Sequence, residues 1–270
     1  MADGDGGPGR SARRAVARVK HVTIRVAVAG ATGKMGRLAI ELIEASDDLE
    51  LHAALDSRSS LDEMLGADVA LDVTHPAASA GIVEFATGAG IPIVVGTSGW
   101  SSERIAEIAQ FMRGHEDAGA VLFIPNFSIG SVLGTAFATL AARYFDSIEI
   151  VEAHHAGKVD SPSGTAVRTA ELIGDARASL GPVAAPHADQ RARGQLVSGI
   201  PVHSLRLSGL LAEQRVVLGG EGETLTIAHS TVSSSAYEQG ILLALRRAPA
   251  ASGVVVGLDA LLDLGLPGAS

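Results

Sequence analysis

The strongest constraint on the fold is a regular alternation of short apolar runs with helix-like stretches, which extends from Val22 to about Asn126. The apolar runs are rich in β-branched residues and read TIRVAVAG, LELHAALD, ADVALDVTH, IPIVVGTSG and AVLFIPN. The stretches between them, such as MGRLAIELIEAS and SERIAEIAQFMR, carry apolar residues at helical spacing. Because a parallel connection needs a crossover of about a dozen residues, this pattern predicts βαβ units and a Rossmann-like, doubly wound parallel sheet.

The pattern changes after Ser128. A helix-like segment, SVLGTAFATLAARYF, leads into a strand, SIEIVEAHH, and then into a predicted helix from about Thr165 to Leu180. Three strand-like runs then follow with no helix between them, PVHSLRLSGL, QRVVLGG and ETLTIAHS. Close spacing of this kind is typical of antiparallel hairpins, so we expect a second domain of the α+β class.

Composition excludes several functional classes. The net charge of -9 argues against a nucleic-acid surface, because phosphate contacts need clustered Lys and Arg. With no Cys, the chain has no disulfide framework and no Cys-based metal site, and no run reaches the roughly 18 apolar residues of a membrane span. We therefore expect a cytoplasmic enzyme or binding protein that has no nucleic-acid or membrane partner and no metal.

The first 21 residues differ from the rest of the sequence. They are rich in Gly, Ala and basic residues and lack the continuous apolar segment of a secretory signal. We predict a disordered tail over residues 1–21. A contact with a membrane or a partner is the alternative, which the absence of an amphipathic stripe disfavours.

The first chemical motif is VAVAGATGKMG, in which glycines close a strand and open a helix. Glycines at such a turn let the backbone approach a pyrophosphate, which the N–H groups of the helix start then bind. The spacing G-x-x-G-x-x-G is a weak signal alone, since tight glycine turns also have purely steric causes. Asp56, at the end of the second strand, strengthens it because a carboxylate there can bind the adenosine ribose. The predicted dinucleotide loop comprises Gly30, Ala31, Thr32, Gly33, Lys34, Met35 and Gly36.

Two cations near Asp56 affect the choice of coenzyme. Arg58 and Lys34 could hold a 2′-phosphate, although each could equally be a solvated surface charge. We therefore expect both NADH and NADPH to serve, with NADH modestly favoured because the carboxylate repels the extra phosphate.

Small polar groups follow the later strands of the first half. Ligands of doubly wound folds bind outside the carboxyl ends of the strands. His75 precedes Pro76 and is interpreted as a loop residue without chemistry. By position, the residues expected to border a nicotinamide pocket are Thr74, Gly96, Thr97, Pro125, Asn126 and Phe127.

The densest cluster of reactive side chains is EAHHAGKVDSPSGTA. Adjacent strand histidines point to opposite faces, so only one of His154 and His155 can face a given cleft, and a zinc site is disfavoured. Lys158 and the free N–H groups of the next helix would form an anion site, with Asp160 fixing the loop. The residues of this turn, one of whose hydroxyls can cap the helix, are Ser163, Gly164 and Thr165.

The run EIVEAHHAGKVDSPSGTA, Glu149 to Ala166, resembles the signature of the 4-hydroxy-tetrahydrodipicolinate reductases, also called dihydrodipicolinate reductases. The similarity extends over nearly the whole chain from Val22 and includes VAVAGATGKMGR, VVGTSGW, IPNFSIG, GIPVHSLRLSGL and GEGETLTIAHS. The chain departs from many members at Ala156 and Gly157, and at Ser98, which affects fine substrate contacts rather than the reaction class.

The resemblance implies an NAD(P)H-dependent reduction in diaminopimelate and lysine biosynthesis. In it, His154 is the general acid, Lys158 assists and binds substrate, and the Ser163–Thr165 turn holds one carboxylate. His155 would also contact the dicarboxylate substrate, and Thr97 is a partner for the second carboxylate.

The resemblance also implies a domain organisation and a homotetramer built through the second domain. The dinucleotide domain would comprise 22–127 plus 234–270, and the substrate-binding and tetramerisation domain 128–233. The alternatives are an NAD(P)-dependent dehydrogenase of another small acid and a non-catalytic dinucleotide sensor.

Overall fold

The computed structural model describes residues 23–115, 117–184, 187 and 189–262. The predicted disordered tail, 1–21, lies outside the described residues, as does the C-terminal segment 263–270. None of the helices in the described ranges is both long enough and apolar enough to span a membrane.

Helices and strands alternate through the first half of the chain, and strands dominate the second. The strands are β1 (Ile24–Ala29), β2 (Leu49–Leu55), β3 (Val69–Asp72), β4 (Ile93–Val95), β5 (Val121–Phe123), β6 (Ser147–His154), β7 (Gln195–Val197), β8 (Ile200–Arg206), β9 (Ala212–Gly220), β10 (Glu223–Thr231) and β11 (Val254–Val256). The α-helices are α1 (Lys34–Glu44), α2 (Pro76–Gly88), α3 (Ser102–Arg113), α4 (Ile129–Ala141), α5 (Gly164–Ala176) and α6 (Glu238–Arg247).

The first sheet has six parallel strands in the order β11-β5-β4-β3-β1-β2. Its strands are short apolar runs because both faces are covered. Val26 and Val28 of β1 pack with α1 and α6, whereas Ala27 and Ala29 pack with α2 and α3 on the other face. The doubly wound parallel sheet predicted from the sequence is confirmed.

The second sheet has the order β10-β9-β6-β8-β7. Helices α4 and α5 cover one of its faces, where Ile148, Ile150, Val216 and Leu218 are buried against alanines of both helices. This mixed sheet with helices on one side confirms the expected second domain of the α+β class.

The predicted hairpins of the second domain are partly wrong. Strands β9 and β10 pair antiparallel as expected, but β8 pairs parallel with β6 and is separated from β9 by it. The reason is that α5 makes β6-α5-β8 a crossover unit, which places β8 parallel to β6. Strand β7 was not predicted, and it pairs antiparallel with β8.

Two boundaries also differ from the prediction. Helix α5 ends at Ala176 rather than near Leu180, where the guanidinium of Arg177 donates to the backbone carbonyls of Ala142 and Phe145. Strand β6 ends at His154, so His155 lies in the exposed loop that follows and not in the strand.

The C-terminal part of the described chain returns to the first sheet. Strand β11 pairs parallel with β5, and Ile241, Ala244 and Leu245 of α6 are buried beside α1. The backbone therefore passes from the first domain to the second near Phe127 and returns to the first domain after β10. These two connecting segments lie between the sheets.

We predict that Gly240→Ala destabilises the protein. Gly240 is a buried helical residue, and a Cβ there would overlap the carbonyl oxygen of Phe127. Overpacking of this kind costs about 1–3 kcal/mol, so the midpoint of thermal unfolding should fall.

Gly81→Ala is the matched control. Gly81 is an exposed residue of α2, and a Cβ there would meet nothing within 4 Å. Ala is favoured over Gly in a helix by up to about 1 kcal/mol, so this midpoint should stay or rise. Equal midpoints for the two variants would contradict the close packing of α6 on the backbone of Phe127.

Candidate active site

A cleft of about 220 Å³ lies between the two sheets. Its lining residues come from both domains and from the segments that join them. A ligand bound to one domain can therefore contact a ligand bound to the other in this cleft. The lining residues are Met35, Gly96, Pro125, Asn126, Phe127, Ser131, His154, Ser163, Thr165, Ala212, Glu213, Gln214, His229, Thr231 and Tyr237.

The glycine loop between β1 and α1 has the geometry of an anion cradle. Gly30 has φ +89°, and a Cβ there would lie 2.6 Å from the carbonyl oxygen of Val73. A Cβ on Gly36 would overlap the carbonyl oxygen of Gly30. Gly33 caps α1 without a side-chain bond to the helix, so N–H groups of its first turn are left for a ligand. These residues fit the pyrophosphate of a dinucleotide.

Asp56 and Arg58 form a local ion pair just after β2. The Asp56 carboxylate accepts from Arg58 Nη2 at 2.9 Å and from the Arg58 backbone N–H at 2.8 Å. These bonds hold the pKa of Asp56 below its ordinary value. The arrangement presents an acceptor for a ribose hydroxyl with a cation, 88% exposed, directly beside it. Lys34 is an exposed residue at the start of α1.

A buried carboxylate organises the loops after β3 and β4. Asp72 is fully buried and accepts from the backbone N–H of Thr74 at 3.0 Å, from Thr97 Oγ1 at 3.0 Å, and from Ser79 Oγ. Thr97 Oγ1 also accepts from the Thr74 N–H at 2.9 Å. The Thr97 hydroxyl proton is thus committed to Asp72, and a contact from Thr97 to a substrate carboxylate would have to use its backbone N–H.

Two of the residues discussed above cap helices. His75 Nδ1 accepts from the N–H of Ala77 and caps α2. Ser163 is the N-cap of α5, because its hydroxyl oxygen accepts from the N–H of Ala166 at 3.3 Å. A Cβ on Gly164 would meet nothing within 4 Å, so open space lies above the start of α5. An anion can reach this helix start.

Lys158 lies in the loop after β6. Its Nζ is 2.8 Å from Asp160 Oδ1, as expected if Asp160 fixes the loop, and this contact lowers the pKa of Asp160. Neither Lys158 nor the exposed His155 is among the residues that line the cleft.

His154 reaches the cleft from the end of β6, and a buried carboxylate holds it. His154 Nδ1 is 2.5 Å from Glu152 Oε2, and Glu152 is fully buried. Arg206 Nη1 and Nη2 donate to the two Glu152 oxygens at 3.0 and 2.9 Å. The backbone N–H of Ser163 donates to Glu152 Oε1 at 3.2 Å.

Burial and neighbouring charges together shift the pKa values of Glu152 and His154. Burial raises the pKa of Glu152. Hydrogen bonds from Arg206, Ser204 and His154 lower it by a larger amount together, so the pKa of Glu152 lies below its ordinary value. Burial lowers the pKa of His154, and contact with Glu152 offsets only part of that shift. Nearby Lys158 and Arg206 lower the His154 pKa as well.

Sequence reasoning missed several residues that line this cleft or hold the residues that line it. Glu152 could have been found, since it lies two residues before His154 on a strand and so shares its face. Arg206 gave no local signal, because it is brought to His154 by the pairing of β8 with β6. His229 Nε2, 3.3 Å from Ser128 Oγ, and Gln214, which donates to Thr169 Oγ1, were hidden in the same way. Burial lowers the pKa of His229.

Comparison with known proteins identifies the family. The model described as "Dihydrodipicolinate reductase, N-terminus" matches residues 24–127, and "Dihydrodipicolinate reductase, C-terminus" matches residues 130–262. A 4-hydroxy-tetrahydrodipicolinate reductase of Clavibacter sepedonicus is 62% identical over 243 residues, 90% of this chain and 87% of the relative. One of Streptomyces griseus subsp. griseus is 49% identical over 247 residues, 89% of this chain and 98% of the relative.

A solved structure agrees with these relatives. The dipicolinate-bound dihydrodipicolinate reductase from Paenisporosarcina sp. TG-14 superimposes with a TM-score of 0.77 at 31% identity, over 89% of this chain and 100% of that one. Both halves of the chain and the sheets that form the cleft are therefore matched, and the chain belongs to the dihydrodipicolinate reductase family.

Proposed function

We propose that this protein reduces 4-hydroxy-tetrahydrodipicolinate to tetrahydrodipicolinate with NADH or NADPH, a step of diaminopimelate and lysine biosynthesis. The observation that carries the proposal is a single cleft lined by Met35 of the glycine loop and by His154 and Ser163 of the second domain. The names of the relatives support the substrate, and the bound dipicolinate of the Paenisporosarcina enzyme supports a ring dicarboxylate as ligand.

The first sheet and its loops hold the coenzyme. A bound nicotinamide dinucleotide supplies the hydride. The 30–36 loop binds its pyrophosphate, and Asp56 accepts from its ribose with Arg58 and Lys34 beside it. The residues that border the nicotinamide end are Thr74, Gly96, Thr97, Pro125, Asn126 and Phe127, of which all but Thr74 and Thr97 line the cleft.

The proton comes from His154. Its Nδ1 faces Glu152, so Nε2 is the nitrogen left to exchange a proton with the substrate. A histidine can serve as a general acid near neutral pH, which suits this role. Lys158, next in the loop, assists by attracting the anionic substrate toward His154.

The start of α5 and the loop before it bind the substrate. One carboxylate of the substrate binds at the free N–H groups of Gly164 and Thr165. The Ser163 region and the ammonium of Lys158 complete this site. His155 contacts the substrate from the same loop, and the backbone N–H of Thr97 donates to the second carboxylate.

The same architecture supports a proposal for the domain bounds and the assembly. We place the dinucleotide domain at 22–127 plus 234–270 and the substrate and tetramerisation domain at 128–233. The face of the second sheet opposite α4 and α5 carries Leu196 and Leu205, which are 49% and 46% exposed. Apolar side chains on a sheet face support a homotetramer formed through this domain. We place the enzyme in the cytoplasm, where amino-acid precursors are made.

We predict that wild-type protein oxidises NADH in the presence of freshly made substrate and that His154→Gln lowers kcat by about 100-fold or more, the size expected for loss of a general acid. Nucleotide affinity, measured by fluorescence titration, should change little. His115→Gln, at an exposed position two residues after α3, is the control and should keep full activity. Near-normal turnover of His154→Gln would remove His154 from the mechanism. Absence of wild-type turnover would instead favour another small acid as substrate, or a sensor.

The coenzyme preference tests the role of Asp56. We expect wild type to use both coenzymes with NADH modestly favoured. Asp56→Ala should move the ratio of kcat/KM toward NADPH, because it removes the repelling carboxylate and frees Arg58 from its ion pair. Asp62→Ala, at an exposed position nearby, is the control. A wild-type preference for NADPH above about 100-fold, or about 2.7 kcal/mol, would show that the cations dominate.

The anion site can be tested apart from the chemistry. Pyridine-2,6-dicarboxylate has two carboxylates on a ring of similar size and lacks the reducible imine, so it should compete with substrate. Lys158→Ala should weaken its binding by roughly 1.5–3 kcal/mol, measured by calorimetric titration with NADH saturating. Lys34→Ala, in the glycine loop, should leave dicarboxylate affinity unchanged. An unchanged affinity in Lys158→Ala would show that Lys158 does not bind a carboxylate.

A further inference from the structure

The buried carboxylate of Glu152 has more partners than its own charge requires. Arg206 donates two hydrogen bonds to it, at 2.9 and 3.0 Å, and this paired arrangement already neutralises the charge. Further donors include the ring of His154, at 2.5 Å, and the backbone N–H of Ser163, at 3.2 Å. Both belong to residues that line the cleft.

Three different elements of the second domain meet at Glu152. Strand β6 carries His154, strand β8 carries Arg206, and Ser163 caps α5. Arg206 Nη2 also donates to the carbonyl oxygen of Asp160 at 2.6 Å, which fixes the loop that contains Lys158. Movement of any one of these segments would break a bond to a buried charge, which is costly.

We propose that Glu152 is a positioning residue that holds the ring of His154 and the start of α5 in one fixed arrangement, so that the proton donor is aligned with the bound substrate carboxylate. The inference rests on the proposed function, since it assigns Glu152 a role in that reaction through His154. Glu152 itself is fully buried and is not among the residues that line the cleft.

The contact determines which ring nitrogen takes part in chemistry. A carboxylate accepts from Nδ1–H, so the neutral ring has its second nitrogen, Nε2, unprotonated and the cationic ring carries the proton there. When the Nε2–H bond breaks, its electron pair stays on the ring and the proton passes to the substrate. The ring keeps its Nδ1–H bond to Glu152 throughout and does not rotate.

Several other charged groups surround His154. Lys158 in the loop after β6 and Arg206 on β8 both disfavour the imidazolium, and Glu213 and His229 line the same cleft from β9 and β10. Asp160 pairs with Lys158. Replacing Glu152 by Gln removes the carboxylate in contact with the ring while the cations remain. The pKa of His154 should therefore fall, and the acid form should be lost at a lower pH.

Glu152→Gln tests the inference. We expect kcat to fall about 10-fold to 100-fold. In the pH profile of kcat/KM, the limb along which activity falls as pH rises should move to lower pH by about one unit. Affinity for pyridine-2,6-dicarboxylate should change less than kcat, since the Gln carbonyl can still accept from the Ser163 N–H. In a His154→Gln background the same change should lower kcat little further, because Glu152 acts through His154.

Glu149→Gln is the matched control. Glu149 is on the same strand and contacts a histidine, with Oε2 2.6 Å from His203 Nε2, but neither residue lines the cleft. This variant loses a comparable contact, so its pH profile should match wild type. A wild-type pH profile for Glu152→Gln would overturn the proposal. So would a double variant in which the losses of kcat from Glu152→Gln and His154→Gln add. Absent turnover in wild type would instead contradict the proposed function.

A second measurement needs no variant. Nitrogen NMR of histidine-labelled wild-type protein, with His154 assigned by comparison with His154→Gln, reports which ring nitrogen holds the proton. We expect the neutral ring of His154 to be protonated at Nδ1. Protonation at Nε2 would overturn the proposal even if Glu152→Gln did not fold.

Discussion

The hydrogen bonds to the buried carboxylate of Glu152 are the interactions on which the His154 side of the cleft depends. A charge taken out of water is tolerated only when donors replace the lost hydration, and here they come from β6, β8 and the start of α5. The position of His154 is therefore not set by local strand geometry alone. It depends on the crossover that brings Arg206 beside it.

The opposite wall of the cleft is organised in a similar way. Asp72 ends a central strand of the first sheet, is fully buried, and accepts from donors that include Thr74 and Thr97 rather than from a cation. These bonds hold the loops after β3 and β4 at the carboxyl edge of the sheet, where doubly wound folds bind ligands. Each domain thus uses a buried carboxylate near a strand end to fix the loops that face its ligand.

Much of the fold and part of the candidate site could be predicted from local sequence patterns. The parallel sheet followed from alternating periodicities. The residue types also predicted a helix cap at Ser163 or Thr165, and the structure has it at Ser163. Strand partners could not be predicted in this way, because the pairing of β8 with β6 depends on where α5 packs. For the same reason Arg206 was missed, and the commitment of the Thr97 hydroxyl to Asp72 was not visible in the sequence.

The cleft has to satisfy two opposing electrostatic demands. A site for a dicarboxylate needs cations, yet Lys158 and Arg206 make the protonated ring of His154 less favourable, and burial adds to that effect. Glu152 offsets part of this effect through direct contact with the ring, and its burial keeps it out of the cleft lining. A substrate carboxylate placed near Lys158 would act in the same direction as Glu152, so binding of the dianion would raise the proton affinity of the histidine. The group that donates the proton would then be charged most fully when the substrate is in place.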